Sequence, residues 1–158
     1  MQLQYLLILA VTFLGPFVGL LIGHMTKEEL KDGRKYFNLM RFILVLALII
    51  AFFFYFPQIP IPLLIFIIFL IIFINRKYQK DFLIYAIFGI LFYLSLIKTE
   101  LFLITSSIIF LYGLPSGSLF LERHIEEKNK LKLIKKTFMN YLYYIIIALI
   151  LYLFIGFR

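Results

Sequence analysis

The sequence predicts an all-α integral membrane protein: a bundle of six transmembrane helices built as three helical hairpins. Three observations predict it. The chain has 158 residues, of which 64% are hydrophobic and only 15% charged, far from the composition of a soluble domain. Its apolar runs are long enough, at about 1.5 Å per helical residue, to cross a hydrocarbon core of about 30 Å, and a helix satisfies its own backbone where no water is present. Its basic residues gather in three clusters, each following a run that should cross. Residues 1–158 therefore read as a single transmembrane domain.

The first span is predicted over residues 3–23. Met1 to Gln4 lacks the basic start and small-residue cleavage site of a signal peptide, so this span reads as a retained helix. The second is predicted over residues 36–56, followed by Pro57, Pro60 and Pro62 in a tight turn. The third and fourth, residues 62–74 and 82–97, are short, and snorkelling by Lys77 and Lys80 would cover the mismatch. The fifth and sixth are predicted over residues 101–121 and 138–157. Polar loops at 24–35, 75–81 and 122–137 complete the map.

Glycines give the first and fifth spans a particular face. Gly15, Gly19 and Gly23 recur every fourth residue, as do Gly113 and Gly117, leaving a groove where another backbone can approach. Pro16 and Pro115 each remove one helical hydrogen bond and are expected kinks. Gly15, Gly19, Leu21, Glu28 and Glu29 match Gly113, Gly117, Leu119, Glu126 and Glu127 at a constant offset of 98 residues. Spans 1–2 and 5–6 are thus a candidate parallel repeat.

Charge sets the expected orientation. The connections after spans 1, 3 and 5, with Arg41 counted among the first, hold 14 of the 16 basic residues. By the positive-inside rule these loops are cytoplasmic and both termini extracytoplasmic, in the cell membrane. The net charge of +8 then points to anionic headgroups and calls for no nucleic acid.

The candidate sites all lie on that face. Thr26 and Glu29 have capping-box spacing, and Gly33 would end a short interfacial helix in a left-handed conformation. Glu28, Glu29 and Asp32, with Glu126 and Glu127 from the other half, are the carboxylates available for acid/base work; His24 and His124 are weak metal candidates beside them. Arg34, Lys35, Lys132, Lys135 and Lys136 are candidate lipid or phosphate binders. Leu131, Ile134 and Phe138 form a stripe that predicts an amphipathic segment in the interface plane. Asp32 and Asp81 resemble the layout of prepilin-type aspartyl peptidases, whose catalytic aspartates stand at cytoplasmic helix ends. Tyr78, Gln79 and Lys80 stand where that family has a glycine-bearing motif. Prenyl-processing glutamate proteases carry an arginine four residues after their second glutamate, whereas Arg34 lies five after Glu29.

With no cysteine, disulfides and thiolate chemistry are excluded, and no cofactor is implied. Thr12, Ser95, Thr105, Ser106 and Ser107 are the polar residues placed within the spans, and no ionisable group is expected at mid-bilayer, which disfavours ion-coupled transport. The leading expectation is a noncatalytic subunit or scaffold, joined through its glycine faces to another membrane protein or to itself. The alternatives are binding, transfer or enzymology of a phospholipid or polyprenyl phosphate at the cytoplasmic face, and an aspartyl peptidase using Asp32 and Asp81.

Overall fold

The structure, a computed structural model, describes residues 2–56, 81–125 and 130–155. Five α-helices occur among them: α1 (Gln2–Met25), α2 (Leu30–Tyr55), α3 (Asp81–Leu94), α4 (Thr99–Arg123) and α5 (Lys130–Ile155). A 3-10 turn, Ser95–Ile97, follows α3. The helices α1, α2, α4 and α5 are long and apolar enough to cross a membrane, so the chain is a membrane protein by length and composition. The expected third span, residues 62–74, lies outside the described residues.

Hydropathy locates the apolar part of each helix and misses the polar continuation. Residues 30–35 and 130–137, read as loop, are helical and form the first turns of α2 and α5. Lysine, arginine and long apolar side chains sustain a helix in water as well as in lipid, so charge alone does not end one. The capping box is also absent. Glu29 is the N-cap of α2 but makes no side-chain cap bond, and the Thr26 hydroxyl donates to the Ile22 carbonyl at 3.1 Å. Gly33 lies inside α2, its N–H donating to the Glu29 carbonyl at 2.8 Å, and no described glycine has positive φ.

Side-chain contacts fix the helix directions. Gly15 faces Phe110 and Gly113, Gly19 faces Leu114, and Gly23 faces Ser118, so α1 and α4 run parallel. Arg34 meets Glu122, Arg41 meets Tyr112 and Tyr55 meets Glu100, so α2 runs antiparallel to α4. Tyr5 bonds the Ala148 carbonyl and Thr12 bonds Tyr144, which makes α5 antiparallel to α1. Tyr85 meets Tyr141 and Gly89 meets Ile147, so α3 runs with α5. The end of α1, the starts of α2, α3 and α5 and the end of α4 consequently share one end of the bundle, its basic end.

The parallel pair α1 and α4 is the axis of the bundle. A β-carbon at Gly15 would lie 2.5 Å from the Phe110 carbonyl oxygen, and one at Gly113 would lie 2.6 Å from the Pro16 ring. Added carbons at Gly19 and Gly117 would overlap the Leu114 and Pro16 carbonyls respectively. Only glycine permits these approaches, and the Ser118 hydroxyl adds an interhelical bond to the Gly19 carbonyl at 2.8 Å. Both helices continue through their prolines.

Around this axis a core of Leu9, Phe13, Leu48, Phe52, Phe88, Phe92, Leu101 and Ile109 fills the interior. A second cluster, Leu20, Leu30, Phe120, Leu121 and Leu133, closes the basic end. Leu30, 1% exposed, thereby anchors the turn between α1 and α2 against the ends of α4 and α5.

Candidate functional site

Five tyrosines are among the largest fully buried side chains: Tyr5, Tyr85, Tyr112, Tyr141 and Tyr144. A phenol in an apolar interior must find a hydrogen-bond partner or lose about 1–3 kcal/mol. Tyr5 donates to the Ala148 carbonyl at 2.9 Å, Tyr144 pairs with Thr12 at 2.7 Å, and Tyr141 donates to the Ser116 carbonyl at 3.3 Å. Tyr112 accepts from Arg41, through Nε at 2.9 Å and Nη2 at 2.6 Å. Tyr85 is the exception. Its hydroxyl is buried without a hydrogen-bond partner of good geometry among the described residues, as are those of Ser116 and Thr105.

Arg41 corrects the sequence reading. Counted with the basic loop, it lies inside α2, only 7% exposed. It is seven residues from Arg34, about 10 Å further along the helix at 1.5 Å per residue. Its guanidinium carbon stands 5.0 Å from the centre of the Tyr112 ring, a cation–π placement that desolvation strengthens. An ionisable group therefore does occupy the interior of the bundle, where such groups are costly and mark function.

These residues come together from four helices, α2, α3, α4 and α5. The Tyr85 ring lies 5.9 Å from Tyr112 and 4.4 Å from Tyr141, and the Tyr85 hydroxyl is within electrostatic reach of Arg41 and beside Ser116. The sequence conceals the pattern, because Arg41 sits six residues beyond Lys35 and joins its cluster by count. The available signal is its position in the apolar run from Leu39 to Ala51.

The sequence-predicted site residues lie mostly at the edge. Glu28, Glu29, Asp32 and Lys35 are exposed, as are His24, Lys132 and Lys135, while Lys136 is half-buried. Arg34 pairs with Glu122 at 3.5 Å, with side chains 58% and 14% exposed. Asp32 lies in the first turn of α2 and Asp81 opens α3 at the same end. Glu126 and Glu127 lie outside the described residues. The His124 ring stacks on Phe120 at 4.4 Å, with Nδ1 3.0 Å from the Phe120 carbonyl. Among the described residues no three histidines or carboxylates gather as a metal site. Leu131, Ile134 and Phe138 are exposed on α5, whereas Leu133, Thr137 and Tyr141 face inward. The stripe therefore belongs to a long helix of the bundle and does not form a separate segment.

No protein-family model matches the chain, no curated protein is similar to it, and no solved structure matches it.

Proposed function

We propose that this protein binds an anionic lipid, a phospholipid or a polyprenyl phosphate, at the cytoplasmic face of the cell membrane. On this reading six spans cross with both termini outside, and α1–α2 and α4–α5 are the two copies of a parallel repeat. The observation that carries the proposal is the gathering of cations at one end of the bundle, with a further arginine drawn inside. Lys27, Lys31, Lys35, Lys132 and Lys135 are exposed there, and Arg41 is buried below them. Basic residues beside an anionic leaflet attract it by about 1 kcal/mol each. A buried arginine adds a donor whose shape suits a phosphate.

The subunit reading is less well supported, because the glycine faces expected to seat a partner are turned toward each other within the chain. Mild extraction followed by native mass spectrometry separates the two. The lipid reading expects an anionic phospholipid or polyprenyl phosphate to remain on the chain. A stoichiometric protein partner on a lipid-free chain would contradict it and restore the subunit reading.

A further inference from the structure

We propose that the outward face of the first turns of α5, from Leu131 to Met139, is the surface on which an anionic phospholipid of the surrounding leaflet docks. The inference rests on the lipid reading and narrows it twice: to one helix, and to a bilayer phospholipid in place of a polyprenyl phosphate.

Charge balance separates the two basic segments. The turn before α2 and the first turns of that helix hold Lys27, Lys31 and Lys35 beside Glu28, Glu29 and Asp32, and Arg34 pairs with Glu122 at 3.5 Å, so that segment nearly neutralises itself. The approach to α5 does not. Residues 123–136 carry six lysines and arginines against two acids, and no acid follows Glu127. Lys132 and Lys136 interact further within the chain, and the surplus stands whatever their partners, because two glutamates cannot match six cations. Local rules make this placement costly. The positive end of a helix favours acids, which α2 and α4 supply in Asp32 and Glu100 and the first turn of α5 lacks. Lys132 and Lys136, four residues apart on one helix, also repel each other. An anionic surface outside the chain offsets both costs.

Placement fits the same occupant. Leu133 packs with Leu20 in the cluster at the basic end, so the lysines flanking Leu133 lie level with the last apolar turn of α1, where headgroups meet hydrocarbon. Leu133, Thr137 and Tyr141 turn inward, while Leu131 is 78% and Met139 56% exposed, with Lys132 and Lys135 exposed between them. Cationic and apolar side chains therefore share one outward face. Such a face meets a phosphate with its amines and the first acyl carbons with its apolar side chains. Because these side chains are exposed, the face reads the charge of a headgroup and not the length of a chain, which favours the anionic phospholipid.

The test uses the full chain in phosphatidylcholine nanodiscs with and without phosphatidylglycerol. Retained lipid is read by native mass spectrometry and stabilisation by thermal unfolding. The variants alter exposed or half-buried side chains, so they should fold. Lys135→Gln should weaken phosphatidylglycerol retention about fivefold, and the combined Lys132→Gln, Lys135→Gln, Lys136→Gln variant about a hundredfold. The combined variant should also lose the stabilisation that phosphatidylglycerol confers, and each effect should shrink as salt is raised. A second variant changes Lys27, Glu28, Glu29, Lys31 and Lys35 to glutamine and Asp32 to asparagine. It removes both signs together and should alter retention by less than about twofold. Loss of retention in that second variant, or its survival in the combined α5 variant, would overturn this inference and leave the lipid reading standing. So would retention of a polyprenyl phosphate in preference to phosphatidylglycerol when both are supplied in equal amount. A chain with no preference for phosphatidylglycerol over phosphatidylcholine and no affinity for polyprenyl phosphate would overturn both.

Discussion

The two kinds of glycine in this chain call for opposite treatment. Gly19 and Gly117 sit where a β-carbon would overlap a carbonyl of the facing helix, so alanine at either must push α1 and α4 apart. A loss of about 1–3 kcal/mol is expected for each, as for other overpacked interiors, and thermal unfolding in detergent would measure it. Gly33 is helical, and the nearest atoms its added carbon would meet belong to the Phe37 ring edge, at 3.1 Å. There alanine should raise stability by about 0.5–1 kcal/mol through helix propensity and a less flexible unfolded chain. Equal effects at Gly19 and Gly33 would argue against the close contact. Tyr85 gives a third case: removal of a buried hydroxyl that makes no bond of good geometry with a described residue should be neutral or stabilising, whereas Tyr5→Phe, which removes the bond to the Ala148 carbonyl, should be destabilising.

Helix α2 is held to α4 at both ends and in the middle. Arg34–Glu122 closes the basic end, and at the other end the Tyr55 hydroxyl donates to Glu100 at 2.8 Å while Lys98 lies 5.3 Å from the Tyr55 ring centre. The end contacts are partly exposed, so they set register more than stability. A double-mutant cycle on Arg34 and Glu122 should give a coupling of about 0.5 kcal/mol that shrinks as salt is raised. A coupling that grows with salt would contradict the pairing. At this scale much is legible in the sequence: the glycine spacing marks the faces of α1 and α4, and the apolar runs mark their middles. The starts of α2 and α5 are not legible, because residues such as Lys31, Lys35, Lys132 and Lys136 suit a helix leaving the membrane as well as they suit a loop. Arg41 is hidden for a related reason. Charge counting assigns an arginine near a loop to the loop, and only packing shows that its side chain turns inward to Tyr112.

For the molecule as a whole, the parallel packing of α1 on α4 explains how the parts cooperate. It removes both glycine faces from the surface and leaves α2, α3 and α5 to carry aromatic and charged groups around the axis. The sharing of one end by the basic turns follows from the helix directions, and the side of the membrane it faces is a separate prediction. The chain has no cysteine, so a single cysteine at position 79 should be shielded from impermeant thiol reagents added outside the cell. Labelling from outside would reverse the proposed orientation and move the lipid site to the other leaflet.

The most direct test of the arrangement is a cross-link between α1 and α4. A β-carbon at Gly23 would stand 3.2 Å from the Ser118 α-carbon, near enough for a disulfide between paired cysteines, whose β-carbons lie about 3.8 Å apart. Oxidation of the Gly23→Cys, Ser118→Cys double variant in its membrane should give a monomer whose N- and C-terminal fragments stay joined after proteolysis until reductant is added. Disulfide-linked dimers in place of that product would mean that the two helices meet between chains, which contradicts a bundle built around a parallel α1–α4 pair within one chain.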